Sequence, residues 1–126
     1  AMGAKVGNPD KRLICVVGDG GFAHAWAELE TARRMGLNIT LIVLNNQILG
    51  YQKHAEDIKF GAHTDAVFFE PVDHAAIARA CGLTGLRVEA ADEIGAALDA
   101  ALAHDHTTLI DVLSDPEAHP PITGFE

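Results

Sequence analysis

The chain has 126 residues, 48% of them hydrophobic, and a formal net charge of −9. That length suffices for one globular core and is short for an α/β enzyme with two substrate-handling lobes, so a single domain over residues 1–126 is expected. The acidic balance excludes a nucleic-acid partner held by clustered Lys and Arg; with no apolar run long enough to cross a bilayer, a membrane partner is not expected either.

The opening "AMGAKVGNPDKR" reads as the last two turns of a small-residue helix, closed by Gly7 and a turn at Asn8-Pro9. A helix end with nothing before it points to a fragment of a longer protein. Arg12 to Val17 is a nearly continuous apolar run ending in glycine, the pattern of a parallel strand buried on both faces. Phe22, Trp26, Leu29 and Met35 then recur at spacings near three and four, predicting one amphipathic helix from Phe22 to Met35, stopped by Gly36. Its apolar face makes Trp26 and Met35 core residues. Ile39 to Leu44 is a second buried strand, ending on Asn45-Asn46.

From Gln47 to Phe69 the periodicity fails, which reads as a short helical turn inside a long loop, a frequent carrier of function. Asp73 to Cys81 is a helix capped by Asp73 and ended by Gly82, followed by a short strand over residues 86–88. Asp92 to Ala103 is an Ala-rich helix and Thr107 to Leu113 a last strand, before a tail whose three prolines place it over the surface. Cys15 in a strand and Cys81 at a helix end, without CxxC spacing, read as reduced thiols of a cytoplasmic protein. Strands alternating with helices predict an α/β fold with a mainly parallel sheet between helical layers.

In such sheets ligands sit outside the carboxyl ends of the strands. Two successive strands end in "GDGG" and "NNQ", which puts Asp19 and Asn46 on one rim. Gly18, Gly20 and Gly21 could simply permit a tight turn with Asp19 as a helix N-cap, and Asn45-Asn46 could be an ordinary turn. Taken together, two oxygen-bearing side chains on neighbouring strand ends can share Mg²⁺, and glycine amides at a helix start favour an anion. A diphosphate bridged by Mg²⁺ fits both halves, the metal lying between the acid and the anion. A dinucleotide site is the competing use of the turn, but Gly18-x-Gly20 is followed by Ala23 and the next strand ends in neutral amides.

"GDGGF" at 18–22, "ELETA" at 28–32 and "LNNQ" at 44–47, with about two dozen residues between the GDG and the NN, resemble the cofactor motif of thiamine-diphosphate-dependent enzymes. "NNQILGYQ", "ARACG" at 79–82 and the terminal "LIDVLSDPEAHPPI" are most similar to the C-terminal, diphosphate-binding (PP) domain of the acetolactate synthase and 2-oxo acid decarboxylase group. The resemblance implies a three-layer α/β/α thiamine-diphosphate-binding fold with thiamine diphosphate and Mg²⁺ as cofactors. It assigns Mg²⁺ to the Asp19 carboxylate, the Asn46 side-chain oxygen and the Ile48 carbonyl. Gly18 to Gly21 would lie at the diphosphate, held by the amides of Gly20 and Gly21, while Leu49, Gly50 and Tyr51 would line the approach to the thiazolium. Tyr51 stands where the family often has an apolar residue.

The implied activity is decarboxylation or carboligation of a 2-oxo acid, with the cofactor as nucleophile. The resemblance also places the activating glutamate on the pyrimidine-binding domain of another subunit, in a dimer or tetramer. No catalytic residue is then expected in this chain, which alone would be inactive and would expose apolar surface on its first long helix and the 47–69 loop. Glu28, two turns along the helix, reads as an interface or salt-bridge residue; His24 as a substrate contact or a partly buried, backbone-satisfied side chain; Gln52, Lys53 and His54 as substrate contacts or surface. His104-Asp105-His106 reads as a solvated turn, and His63, His74 and His119 have no partner at metal-ligand spacing. Two other readings stay open: a non-catalytic interaction module that keeps the fold, and a nicotinamide-binding domain.

Overall fold

The computed structural model describes residues 1–118; residues 119–126, with His119 and the end of the Pro-rich tail, lie outside the described residues. Four strands, β1 (Ile14–Gly18), β2 (Thr40–Asn45), β3 (Thr84–Val88) and β4 (Thr108–Leu113), form one sheet in the order β1-β2-β4-β3. Every neighbouring pair is parallel.

Alternation along the strands divides their side chains between two faces. Val17, Leu41, Val43 and Leu109 meet Phe22, Leu29, Ala75 and Ala78 on one face. Those partners come from α2 (Asp19–Ala23), α3 (Glu28–Arg34) and α5 (His74–Ala80). On the other face Ile42, Ile110, Val112 and Val88 pack against Ala97, Leu98 and Ala101 of α6 (Ile94–Ala103). Fully burying a Val, Leu, Ile or Phe side chain contributes about 1.5–3 kcal/mol, so these two clusters fix the α/β/α layering. The N-terminal α1 (Met2–Gly7) adds Met2 to a third cluster around Ala32, Leu37 and Ile39. Its Lys5 is buried, with Nζ donating to the Pro9 and Lys11 carbonyls at 2.7 Å each.

Three expectations are corrected. β1 is not buried on both faces: Ile14 and Val16 are 49% and 59% exposed, because β1 is an edge strand and α6 covers the β3–β4 side. The Phe22–Met35 helix is two helices. Residues 24–27 between them turn tightly, with i to i+3 bonds such as Ala25 N–H to Phe22 C=O and Glu28 N–H to Ala25 C=O. Such turns keep apolar spacing close to helical, which hides the break. Trp26 does pack on the core, while Met35, at the C-cap of α3, is 50% exposed.

The third correction concerns residues 47–69, where an eleven-residue helix, α4 (Gly50–Phe60), replaces the expected short turn. None of its residues is buried, so it shows no apolar stripe. Side-chain pairs four apart support it instead, Gln52 with Glu56 at 2.7 Å and Lys53 with Asp57 at 3.2 Å, and Gly61 at φ 71° ends it.

A candidate cofactor cleft at the carboxyl edge of the sheet

The register of β1 and β2 pairs Gly18 with Leu44, so the two chains leave the sheet side by side, one into Asp19 and the other into Asn45-Asn46. Asp19 is buried and opens α2 one place inside its N-cap, Gly18. Its carboxylate is not the N-cap that the turn reading allowed: Oδ1 accepts the adjacent Gly20 amide at 2.9 Å, and Oδ2 accepts the Gln47 amide at 2.8 Å, across from the neighbouring strand. The Gly20 amide therefore faces Asp19.

Gln47 reaches that position with φ at 60°, the one non-glycine residue in the left-handed region among the described residues. The loop is pinned from its other side by Leu49 N–H to Val67 C=O and Phe69 N–H to Gln47 C=O, both 2.8 Å. Between them the Asn46 side-chain oxygen accepts the Ile48 amide at 3.3 Å, and Ile48 is buried.

These elements wall a cleft of about 670 Å³. The residues expected around the cofactor, Gly18 to Gly21 from the first strand end and Asn46 with Ile48 to Tyr51 from the second, all line it. So do Gln52 and His54 of α4 and Pro116 from the exposed C-terminal segment. A Cβ on Gly20 would come within 2.7 Å of Leu49 Cδ2 and 3.1 Å of Phe69 Cε2, so at that position the turn is bare because the opposite wall closes over it.

Other candidates lie elsewhere. Lys53 turns to Asp57, which also meets His63 Nδ1 at 2.6 Å; that bond is the main cause that lowers the Asp57 carboxyl below its ordinary range. His24 is exposed, not partly buried, and Glu28 lines a groove beside Met2 of α1, away from the cleft. His106 bonds Thr84 at 2.8 Å and Asp105 at 3.1 Å, and its bond to Asp105 lowers that carboxyl. His74 is buried in the core against Phe22 and Trp26. Cys15 and Cys81 are free thiols, both half-buried. Among the described residues no three His, Cys, Asp or Glu side chains gather as a metal site, and no helix is long and apolar enough to cross a membrane. The cleft is lined instead by Asp19 and Asn46, whose side chains carry the oxygen atoms that a hard cation prefers.

Two partners of this site are not apparent from local pattern. Asn45 is buried and donates to Asp111 Oδ1 and the Val72 carbonyl, each at 3.0 Å. Asp111 is a charged residue in the middle of the apolar "TTLIDVL" run, a signal that a buried carboxylate needs partners.

Residues 1–112 match the family described as thiamine pyrophosphate enzyme, C-terminal TPP binding domain. The chain belongs to this family. Over 124 residues it is 36% identical to the Bacillus subtilis protein YdaP, assigned as thiamine pyrophosphate-containing, covering 98% of this chain and 21% of that protein. Acetolactate synthase of the same organism is 35% identical over 115 residues, covering 91% of this chain and 20% of the synthase. A solved thiamine diphosphate-dependent 4-hydroxybenzoylformate decarboxylase of Rhodococcus jostii RHA1 superposes with a TM-score of 0.86 at 29% identity, over 91% of this chain and 22% of that one. This thiamine-pyrophosphate-binding domain thus spans about one fifth of the relatives' length. The family match sets the nicotinamide reading aside.

Proposed function

We propose that this domain forms the diphosphate side of the active site of a Mg²⁺-requiring, thiamine-diphosphate-dependent enzyme that decarboxylates or carboligates 2-oxo acids. The observation that carries the reading is the Asp19–Gln47 bond, which holds the acid of one strand end against the Asn46–Ile48 loop of the next. Asp19, the Asn46 side-chain oxygen and the Ile48 carbonyl would hold Mg²⁺, with the diphosphate against Gly18 to Gly21. Leu49, Gly50 and Tyr51 would face the reacting end, and Gln52 and His54 extend the same wall. When bound, thiamine diphosphate supplies the carbon nucleophile, and the protein supplies orientation and electrostatics.

Asp19 is the single carboxylate among the described residues lining the cleft, and two amides already occupy it. By the resemblance to the family, the acid that activates the cofactor would come from the pyrimidine-binding domain of another subunit, in a homo-oligomer, and the 126-residue chain alone would not turn over substrate. Exposed Tyr51, Ile58, Phe60 and Phe68 around the cleft and α4 support such a covering partner.

Calorimetric titration tests the reading. The chain should bind thiamine diphosphate only with Mg²⁺ present, and Asp19→Asn and Asp19→Ala should each weaken that binding at least about tenfold. Equal binding by both variants, with or without Mg²⁺, contradicts it.

A further inference from the structure

We propose that Asp111, which does not line the cleft, is the positioning residue that aims the metal-binding loop; the proposal rests on the cofactor reading above. Asp111 lies in β4 opposite Val43 of β2 and Arg87 of β3, with its side chain fully buried. A carboxylate there is costly unless its oxygens are filled. They are: Oδ1 accepts Asn45 Nδ2 at 3.0 Å, and Oδ2 accepts the His74 amide at 3.0 Å and Arg87 Nη1 at 2.8 Å.

Asn45 is held in turn. Its second amide hydrogen goes to the Val72 carbonyl at 3.0 Å, and its backbone carbonyl accepts the Ser114 amide at 3.0 Å. Its side chain has no other way to turn without putting an oxygen against the Val72 carbonyl. The chain therefore leaves β2 in one direction, and the next two residues are Asn46, the proposed ligand, and Gln47, whose amide meets Asp19. Replacing a buried ion pair by apolar residues is often neutral for stability, so holding the fold together is not by itself a reason for a carboxylate here. A fully satisfied polar network does fix one conformation, here the exit angle of the ligand loop.

The test compares Asp111→Asn with Thr107→Val in the 126-residue chain. The amide nitrogen introduced at position 111 meets a donor whichever way it turns. Thr107→Val removes another buried bond, Thr107 Oγ1 to the Leu37 carbonyl at 2.6 Å, at the residue that precedes β4. Asp111→Asn should lower Mg²⁺-dependent affinity for thiamine diphosphate roughly ten- to hundredfold and shift the Gln47 amide resonance. Thr107→Val should do neither. If Asp111→Asn does not fold, Asn45→Ala takes its place with the same expectation, since it leaves Asp111 its bonds to Arg87 and His74. An unmoved Gln47 amide with wild-type affinity, or equal weakening by Thr107→Val, overturns the proposal. If the wild-type chain binds no thiamine diphosphate with Mg²⁺, the cofactor reading fails by itself. The Gln47 amide then decides the positioning role: a shift in Asp111→Asn alone sustains it, and none overturns it.

Discussion

The backbone amide of Gln47 donates to Asp19 Oδ2 across 2.8 Å, while Gln47 itself holds a φ of 60°. A left-handed conformation costs a residue with a Cβ about 1–2 kcal/mol, so the loop stores strain where two strand ends meet. Gln47→Gly should release that strain and, after the entropy gained by its unfolded chain, leave stability within about 1 kcal/mol of wild type. Gln47→Val, whose branched Cβ fits the region worse, should lose about 1–2 kcal/mol. Urea denaturation of the pair checks this, and a Val variant as stable as the Gly variant contradicts it.

Gly20 and Gly85 should respond to alanine to different degrees. A methyl group on Gly20 meets the far ends of Leu49 and Phe69, which can swing, so stability should fall by less than about 1.5 kcal/mol. The cost falls on the cleft, because a displaced Leu49 moves its wall, and cofactor affinity should drop. On Gly85 of β3 the methyl overlaps the backbone of Ala75, including its carbonyl oxygen, where α5 crosses the sheet. That variant should lose about 3 kcal/mol or more, since only helix displacement relieves it. Thermal unfolding of both, alongside cofactor titration of Gly20→Ala, separates the two effects.

Acid should loosen the far end of α4 before the sheet. Gln52 and the Thr64 amide, and then the Thr64 hydroxyl and His63, lower the Glu56 carboxyl from its ordinary 4.5. His63 first, then Lys53, lower Asp57 from 3.8. A carboxyl lowered on folding adds stability above its unfolded value and loses it as pH falls through the folded one. These contributions therefore start to fall as pH drops past 4.5 for Glu56 and 3.8 for Asp57, and are gone only below the lowered folded values. The Thr64 amide, bonded to Glu56 Oε2 at 2.8 Å, reports the change. Its NMR signal should move as pH falls below 4.5, and Glu56→Gln should flatten the response.

The rim was legible because strand ends and turn residues are local: "GDGG" and "NNQ" follow apolar runs, and β1 and β2 lie side by side as successive parallel strands often do. The Asp73 cap of α5 was legible for the same reason, its carboxylate accepting the Ala76 amide at 2.7 Å. α4 was not, because a helix with no fully buried residue writes little apolar period into the sequence; its support lies in ion pairs and in the His63 and Thr64 contacts at its end. The break at residues 24–27 escaped because tight turns preserve the spacing of Phe22, Trp26 and Leu29. Asn45–Asp111 joins residues far apart in the chain and depends on the β2–β4 register, which local pattern does not carry.

The location of the metal tests the central claim most directly. Mn²⁺ accepts the same octahedral oxygen geometry as Mg²⁺ and scatters anomalously. Crystals of the chain grown with Mn²⁺ and thiamine diphosphate should show one anomalous peak within coordination distance of an Asp19 carboxylate oxygen, the Asn46 side-chain oxygen and the Ile48 carbonyl, with diphosphate density beside Gly20 and Gly21. Cofactor density without a peak there, or a peak held by other residues, would contradict the account.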